Sequence, residues 1–209
     1  MNMHLTDRML CPRCGPPFGL ILLAEESDGG RVIKGRLGCP NCRERYEIAA
    51  AVADLRPPPR RALPAPGPRS GGDPEAAVRM AALLGVADGP GVVGVQGPGV
   101  SHVELLADLA PSVEWAAFHQ GLPPSDVEES PATHLILGDV LPFMPHTFRG
   151  MVVHGPMQSE SDYVDLMRLL IAGGRLLVES PTDSWRERIG EAADEILLDA
   201  PQACVVRKT

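Results

Sequence analysis

The sequence predicts an α/β protein: a doubly wound, mostly parallel sheet that follows a small, cysteine-rich β unit. Patterns of strand and helix alternate from residue 73 onward, as in sheets whose crossover connections are helices. Two CxxC pairs lie within the first 42 residues, and seven of the 22 prolines fall between Pro57 and Pro74. Proline lacks an amide donor and fixes φ, so this stretch is not expected to continue a helix or a central strand. The sequence therefore predicts three segments: 1–56, a Pro/Gly/Arg-rich linker at 57–72, and 73–209.

Composition excludes several classes of function. Hydrophobic residues make up 44% and charged residues 22% of the 209, the balance of a soluble globular protein. Aromatic residues are only 4%, which disfavours a surface of rings that stack on bases or sugars. No stretch is long and apolar enough for a membrane span or a signal core. We therefore expect a cytoplasmic protein without a membrane partner.

Charge is divided between the segments. Residues 1–72 hold 11 Lys+Arg and 7 Asp+Glu, a formal +4, whereas residues 73–209 hold 8 and 20, a formal −12. The acidic part repels polyanions, so direct DNA recognition is not expected. In the basic part, Arg56, Arg60, Arg61 and Arg69 are interleaved with prolines. This stretch is either a solvated spacer or a contact strip for RNA or a protein partner.

Four cysteines in segment 1–56 have the spacing of a metal site. They form two C-P-x-C pairs, Cys11 with Cys14 and Cys39 with Cys42, and each pair can present two sulfurs to one ion. Four thiolates predict a tetrahedral, structural zinc site, since no position stays open for a substrate. So small a unit needs a bound metal ion or a covalent crosslink to fold. Disulfides between these cysteines are the main alternative to zinc. Cys204 lies in an apolar run and is predicted to be a buried strand residue.

The cysteine-rich segment is predicted to be a zinc ribbon. We expect strands at Leu20–Leu23 and Arg31–Gly38, joined by a Ser-Asp-Gly-Gly turn, and a third at Arg43–Ile48. From Met9 to Arg56 the chain resembles the small zinc-ribbon protein that activates transfer-RNA and release-factor methyltransferases. The matching residues are Cys11, Pro12, Cys14, Gly15, Gly35, Leu37, Cys39, Pro40, Cys42, Tyr46 and Ile48, with Ala49–Leu55 as an apolar stretch that completes the core. Because members of that family are partners and stabilisers, the resemblance implies a protein partner for the ribbon.

Segment 73–209 carries the alternating elements. The first helix is expected to begin with Asp73 as N-cap and Pro74 at its first position, and to end at Gly85. The expected strands are Gly91–Val95, Val113–Phe118, His134–Leu137, Met151–His154, Arg175–Glu179, Glu195–Leu198 and Ala203–Arg207. Further helices are expected at Ser101–Leu109, Ser161–Ile171 and Asp183–Ala193, with a loop at Gly121–Pro131. The last two strands are close in sequence, so they should form an antiparallel hairpin.

Seven strands that end in a hairpin resemble the class I S-adenosylmethionine-dependent methyltransferases, which have a Rossmann-type sheet. The most specific match is Gly138–Phe143, similar to the G-D-a-x-x-L-P-F stretch of small-molecule and RNA methyltransferases. The second is Leu169–Val178, close to their L-x-P-G-G-R-L-V-V turn. The resemblance covers residues 73–209 and implies S-adenosylmethionine as cofactor.

The cofactor loop departs from that family's pattern. Gln96, Gly97 and Gly99 follow the first strand, where backbone amides can face a ligand. The family has an acid two positions before its first glycine, where this chain has Val95. An acid that ends the second strand and holds the ribose is also missing, and His119 stands at that strand's end.

Two further positions bear on the same site. Arg149 stands where the family has an aspartate, whereas Asp139, which in the family reaches toward the adenine amino group, is retained. The resemblance thus implies a weakened cofactor site formed by Gln96, Gly97, Gly99, His119 and Asp139. In that site Gln96 or His119 would replace the missing acids with neutral hydrogen bonds.

Catalytic candidates are few. His154 lies in the loop after the fourth strand, at the carboxyl end of the sheet, and is either a general base or a structural histidine. His134 and His146 flank the Asp139 loop, and His102 at a helix start either faces an anion or is an exposed capping residue.

Two functions remain open. The first is methyl transfer from S-adenosylmethionine to RNA, protein or a small molecule. The alternative is an inactive pseudo-methyltransferase that acts as a zinc-ribbon adaptor or activator of a partner protein. The missing acids favour the alternative, whereas Asp139 and the glycine turns favour the enzyme.

Overall fold

The computed structural model describes residues 1–63, 71–86, 89–123, 127, 129–155, 160–191 and 194–209. Most of the second half of the predicted linker, with Arg69, lies outside the described residues. So do part of the predicted loop at 121–131 and residues 156–159 after His154.

Eleven strands and five α-helices are present in the described residues. The strands are β1 (Ile21–Asp28), β2 (Arg31–Gly38), β3 (Arg45–Ala49), β4 (Val52–Asp54), β5 (Val92–Gln96), β6 (Glu114–His119), β7 (Thr133–Ile136), β8 (Phe148–His154), β9 (Leu170–Glu179), β10 (Glu195–Ala200) and β11 (Ala203–Arg207). The α-helices are α1 (Met3–Thr6), α2 (Pro74–Leu84), α3 (Val103–Leu109), α4 (Glu160–Leu169) and α5 (Asp183–Glu191), and a 3-10 helix at Gly97–His102 precedes α3. None of these helices has the length and apolar character needed to cross a membrane.

The chain forms two compact units. Unit 1 comprises Met1–Arg69 and Ala117–Met144, and unit 2 comprises Ser70–Ala116 and Pro145–Thr209. This grouping differs from the segments 1–56, 57–72 and 73–209, because the chain from Ala117 to Met144 packs with the N-terminal residues.

Unit 1 is built on a mixed sheet in the order β1-β2-β3-β4-β7. The first four strands pair in antiparallel fashion, whereas β4 pairs in parallel with β7, with Ala53 opposite Leu135. Tyr46 and Ile48 of β3 alternate with exposed residues and are buried, as expected for a strand with one covered face. The prediction of a seven-stranded sheet beside an independent ribbon is therefore wrong in detail: β4 joins the ribbon strands to β7.

Unit 2 has the sheet order β5-β8-β9-β11-β10. Strands β5, β8 and β9 run in parallel, and β9 pairs with β11 in antiparallel fashion. The predicted hairpin at the C-terminus is confirmed, since β10 and β11 pair in antiparallel register. The parallel strands are covered on both faces, and Val93, Val152 and Leu177 are fully buried, as is usual in a parallel sheet.

Helix α2 of unit 2 forms as its end signals predict. The side chain of Asp73 accepts a hydrogen bond from the amide of Glu75, and Pro74 is the first helical residue. Gly85 ends the helix in the left-handed conformation at φ 65°, which glycine adopts without steric cost. The helix predicted from Ser101 begins instead as a 3-10 turn, and β9 starts five residues before the predicted Arg175.

Candidate metal centre and ligand site

The four predicted metal ligands are brought together in unit 1. The sulfurs of Cys11, Cys14, Cys39 and Cys42 all lie within 4.8 Å of one another. Cys11 Sγ is 3.7 Å from Cys42 Sγ, and Cys39 Sγ is 3.9 Å from Cys14 Sγ. A tetrahedral ion with zinc–sulfur bonds of about 2.3 Å places its sulfurs about 3.8 Å apart, whereas a disulfide requires about 2.05 Å. The cysteines therefore fit zinc and are not disulfides.

Two copies of one turn present these sulfurs. The amide of Gly15 donates to the carbonyl of Cys11 over 2.8 Å, and the amide of Arg43 donates to the carbonyl of Cys39 over 3.0 Å. Both donor residues have a left-handed backbone conformation, with φ of 67° at Gly15 and 61° at Arg43. Each knuckle thus closes four residues after its first cysteine, and the repeated C-P-x-C sequence accounts for the repeated turn.

The Tyr46 hydroxyl lies within hydrogen-bonding distance of one sulfur of the cysteine cluster. Its oxygen lies 3.6 Å from Cys11 Sγ, and the ring is fully buried. Burial raises the pKa of the Cys11 thiol, but hydrogen bonds from Tyr46 and from the backbone of Cys14 and Arg13 lower it to about 7. Burial also raises the pKa of Tyr46, so this hydroxyl stays a donor. The environment favours a thiolate at Cys11, the form that binds metal.

Arg60 from the predicted linker contacts the same region. Its guanidinium lies 5.2 Å from the centre of the Tyr46 ring, within the range of a cation–π contact. It also donates to Glu44 over 3.1 Å and to the carbonyl of Arg45 over 3.0 Å. Arg60, in the first half of the predicted linker, therefore contacts the ribbon.

His119 and Asp139, two of the predicted cofactor contacts, also lie in unit 1. His119 ends β6 and is half-buried, and its Nε2 is 2.9 Å from Nδ1 of the buried His134. Nε2 of His134 is in turn 2.9 Å from Oγ of Ser130. Burial and the charge of His134 lower the pKa of His119 to about 4, so its ring is neutral at pH 7. Asp139 is exposed in the loop after β7.

Gln96, Gly97, Gly99 and His154 lie in unit 2. A Cβ added to Gly97 would lie 3.2 Å from Cβ of His154, and Gly97 has φ of 78°. A Cβ added to Gly99 would lie 3.2 Å from Val95 and 3.6 Å from Oε2 of Glu179. Both glycines are thus needed where the loop passes the ends of β8 and β9. Gln96 is half-buried, and His154 is exposed.

Sequence reasoning missed Glu179. It ends β9 and lies opposite His154 of β8 in the parallel register. The rule that singled out His154, a polar residue at the carboxyl end of a buried strand, applies equally to Glu179. Its closeness to Gly99 has no signal in the local sequence.

Three residues that differ from the family pattern, or that were left as open candidates, make structural contacts in unit 2. Arg149 donates to the carbonyl of Gly89 over 3.3 Å, at the position of the missing aspartate. Nδ1 of His102 accepts from the amide of Asp73 over 3.0 Å, and the His102 side chain makes no cap hydrogen bond at the start of α3. Nδ1 of His146 is 3.1 Å from the carbonyl of Leu170. These contacts give each side chain a role in local structure.

No family model matches the chain, and no curated protein matches it in sequence. Several solved structures that match part of it are methyltransferases. Precorrin-6y C5,15-methyltransferase from Geobacter metallireducens matches 65% of this chain and 88% of its own, with 13% identity and a TM-score of 0.48.

Two further matches are similar in extent. The N-methyltransferase NodS from Bradyrhizobium japonicum matches 64% of this chain and 94% of its own, with 13% identity and a TM-score of 0.45. The tRNA (m1A58) methyltransferase TrmI from Aquifex aeolicus matches 69% of this chain and 73% of its own, with 12% identity and a TM-score of 0.46. Likeness at this level does not assign a function to this chain.

Proposed function

We propose that the protein holds a structural zinc ion and binds S-adenosylmethionine as the donor for methyl transfer to RNA, protein or a small molecule. One observation carries the cofactor proposal: Gly97 leaves bare, exposed backbone beside His154 at the carboxyl end of parallel strands. Ligands of open α/β sheets bind at this edge. A loop without side chains lets a ligand approach the backbone closely.

Zinc is proposed to stabilise the fold of unit 1 and to take no part in chemistry. The four sulfurs fill a tetrahedral coordination sphere, so no position is free for a substrate or a water molecule. The ion would tie the knuckle at Cys11 to the knuckle at Cys39.

The cofactor, when bound, supplies a methyl group on a sulfonium centre. The chain's own residues would bind and orient the reactants. Gln96, Gly97 and Gly99 of unit 2 offer backbone and amide groups to the ligand. His154 exposes an imidazole beside Gly97, where it can accept a proton from an acceptor nitrogen or oxygen.

Calorimetric titration of the full chain with S-adenosylhomocysteine and S-adenosylmethionine tests this proposal. Since the acids of the family pattern are missing, we expect weak binding, with Kd on the order of 100 µM. Gly97→Ala should weaken binding about tenfold or more, because its Cβ would stand on the exposed loop, 3.2 Å from Cβ of His154. Gly190→Ala, where an added Cβ meets nothing within 4 Å, is the matched control. No binding to the wild-type chain at millimolar ligand would contradict the proposal.

A second candidate is the zinc-ribbon adaptor without catalysis. It is favoured by Val95, which stands at the family's acidic position and is fully buried, so it offers no charge to a ligand. The adaptor would engage a protein or RNA partner through the basic ribbon. Affinity capture with the tagged full chain should then retain a specific protein or RNA that Cys39→Ser loses. Capture that is independent of the zinc ligands would count against this function.

A further inference from the structure

An acid that the family pattern does not predict lies at the edge of the unit 2 sheet. Glu179 is the last residue of β9, and its register partner on the parallel strand β8 is His154. Strand β5 pairs with the other side of β8, and the glycine loop follows β5 directly. Because parallel strands end at the same edge, Glu179, His154 and the loop meet there.

Distances place the Glu179 carboxylate against the loop itself. A Cβ built on Gly99 would lie 3.6 Å from Oε2 of Glu179 and 3.3 Å from the terminal methyl group of Met80. Met80 belongs to α2 and is buried. The carboxylate therefore lies beside the buried Gly99 of the loop.

The carboxylate of Glu179 lacks a cationic partner within the part of the chain that the structure describes. No hydrogen bond or salt bridge to its side chain is present there, although the residue is half-buried. A partly buried charge without a partner is unfavourable, and a cation that fits beside it is bound more tightly than it would be in water. The ligand chemistry that suits this position is an ammonium group.

We infer that Glu179 binds the ammonium group of the amino-acid moiety of S-adenosylmethionine or S-adenosylhomocysteine. The carboxylate thus comes from the end of β9, whereas Val95 at the family's acidic position is buried and uncharged. This inference rests on the proposed function, because it requires the same ligand in the same loop.

Three probes separate the ammonium group from the rest of the ligand. S-adenosylhomocysteine carries the ammonium and the carboxylate, its decarboxylated analogue keeps only the ammonium, and 5′-methylthioadenosine has neither. Calorimetry with the wild-type full chain should rank 5′-methylthioadenosine weakest of the three. Glu179→Gln keeps the shape of the side chain and removes its charge. It should weaken the binding of the first two probes about tenfold and leave the affinity for 5′-methylthioadenosine within twofold of the wild-type value.

Glu179→Asp keeps the charge on a shorter side chain and should fall between the wild type and Glu179→Gln. Glu187→Gln, an exposed residue of α5, makes the same charge change away from the edge and should alter no affinity. Thermal melting of each variant identifies any loss of folding. If Glu179→Gln does not fold, the affinities of Glu179→Asp are compared with those of the wild type instead.

The outcomes separate this inference from the proposed function. If the wild-type chain binds none of the probes, the proposed function fails and the inference fails with it. If the wild type binds them and Glu179→Gln changes none, or weakens all three equally, the cofactor proposal stands and the assignment of Glu179 to the ammonium group is overturned.

Discussion

Nε2 of His119 lies 2.9 Å from Nδ1 of His134, with the two rings stacked at an interplanar angle of 24°. Two imidazolium rings cannot share this hydrogen bond, because neither would offer a lone pair. Burial and the charge of His134 lower the pKa of His119 to about 4. The contact therefore keeps His119 neutral at the half-buried end of β6.

The first prediction is that protonation of His119 destabilises the folded chain as the pH is lowered. The unfolded chain takes up a proton at this residue below about pH 6.5, whereas the folded chain does so only near pH 4. The free energy of unfolding should thus be constant above pH 6.5 and decrease below it, by about 2 kcal/mol at pH 5. His119→Gln should lose this part of the pH dependence in urea denaturation.

His4→Gln is the control for that measurement, because His4 is exposed. The cysteine cluster also releases metal in acid, so the relevant quantity is the difference between wild type and variant at each pH. A difference that does not change from pH 7 to pH 5 would show that His119 titrates normally in the folded chain.

A second prediction concerns Ser130, which supports the other side of His134. Its Oγ is 2.9 Å from Nε2 of His134 and accepts from the amide of Ala132 over 3.1 Å. Ser130 is buried, so Ser130→Ala leaves two buried polar groups with one partner fewer and should cost about 1–3 kcal/mol. Urea denaturation measures this cost. Ser27→Ala, at an exposed position of β1, should change stability little, and an equal effect of both variants would contradict the role of Ser130.

The third prediction is that the chain binds one zinc ion through its four clustered cysteines. Metal analysis of the purified protein should find one zinc per chain, and Cys14→Ser or Cys39→Ser should lose it. Cys204→Ala should keep the ion, because this cysteine is buried in β11, apart from the cluster. Zinc retained at full content in Cys39→Ser would refute the four-cysteine site.

The elements that the sequence predicted well are those with a local physical cause. The bounds of α2 follow from the Asp73 cap and the left-handed Gly85, and the metal cluster follows from the spacing of Cys11, Cys14, Cys39 and Cys42. By contrast, β4 has only three residues, and its parallel partner β7 lies about eighty residues later in the chain. Such short strands carry no reliable pattern of their own.

The sheet edge of unit 2 shows the same limit. Gly173 and Gly174 suggested a tight turn from helix into strand; Gly173 has φ of 76°, and the β8–β9 register shifts there, from Leu170 opposite Phe148 to Arg175 opposite Gly150. The importance of Glu179 depends on the register of β8 with β9 and on its distance from Gly99. Both are tertiary facts, and neither periodicity nor motif spacing encodes them.

The last prediction concerns Arg60, which ties the start of the predicted linker to the zinc ribbon. Its guanidinium contacts the Tyr46 ring and hydrogen-bonds Glu44, and Tyr46 in turn contacts Cys11. Arg60→Ala removes the cation–π contact and the charge pair, which together contribute about 1–2 kcal/mol. Hydrogen exchange at the paired amides of β3, the strand that carries Tyr46, should therefore accelerate severalfold to about thirtyfold.

The neighbouring arginine provides a matched control for this experiment. Arg61 is exposed, and its side chain makes no hydrogen bond or salt bridge among the described residues, so Arg61→Ala should leave the exchange rates unchanged. Removal of zinc by a chelator should accelerate exchange in the same segment, because Tyr46 reaches the guanidinium and Cys11 at once. If zinc removal accelerates only the knuckles and leaves β3 protected, β3 and the Arg60 contact on it are held independently of the metal.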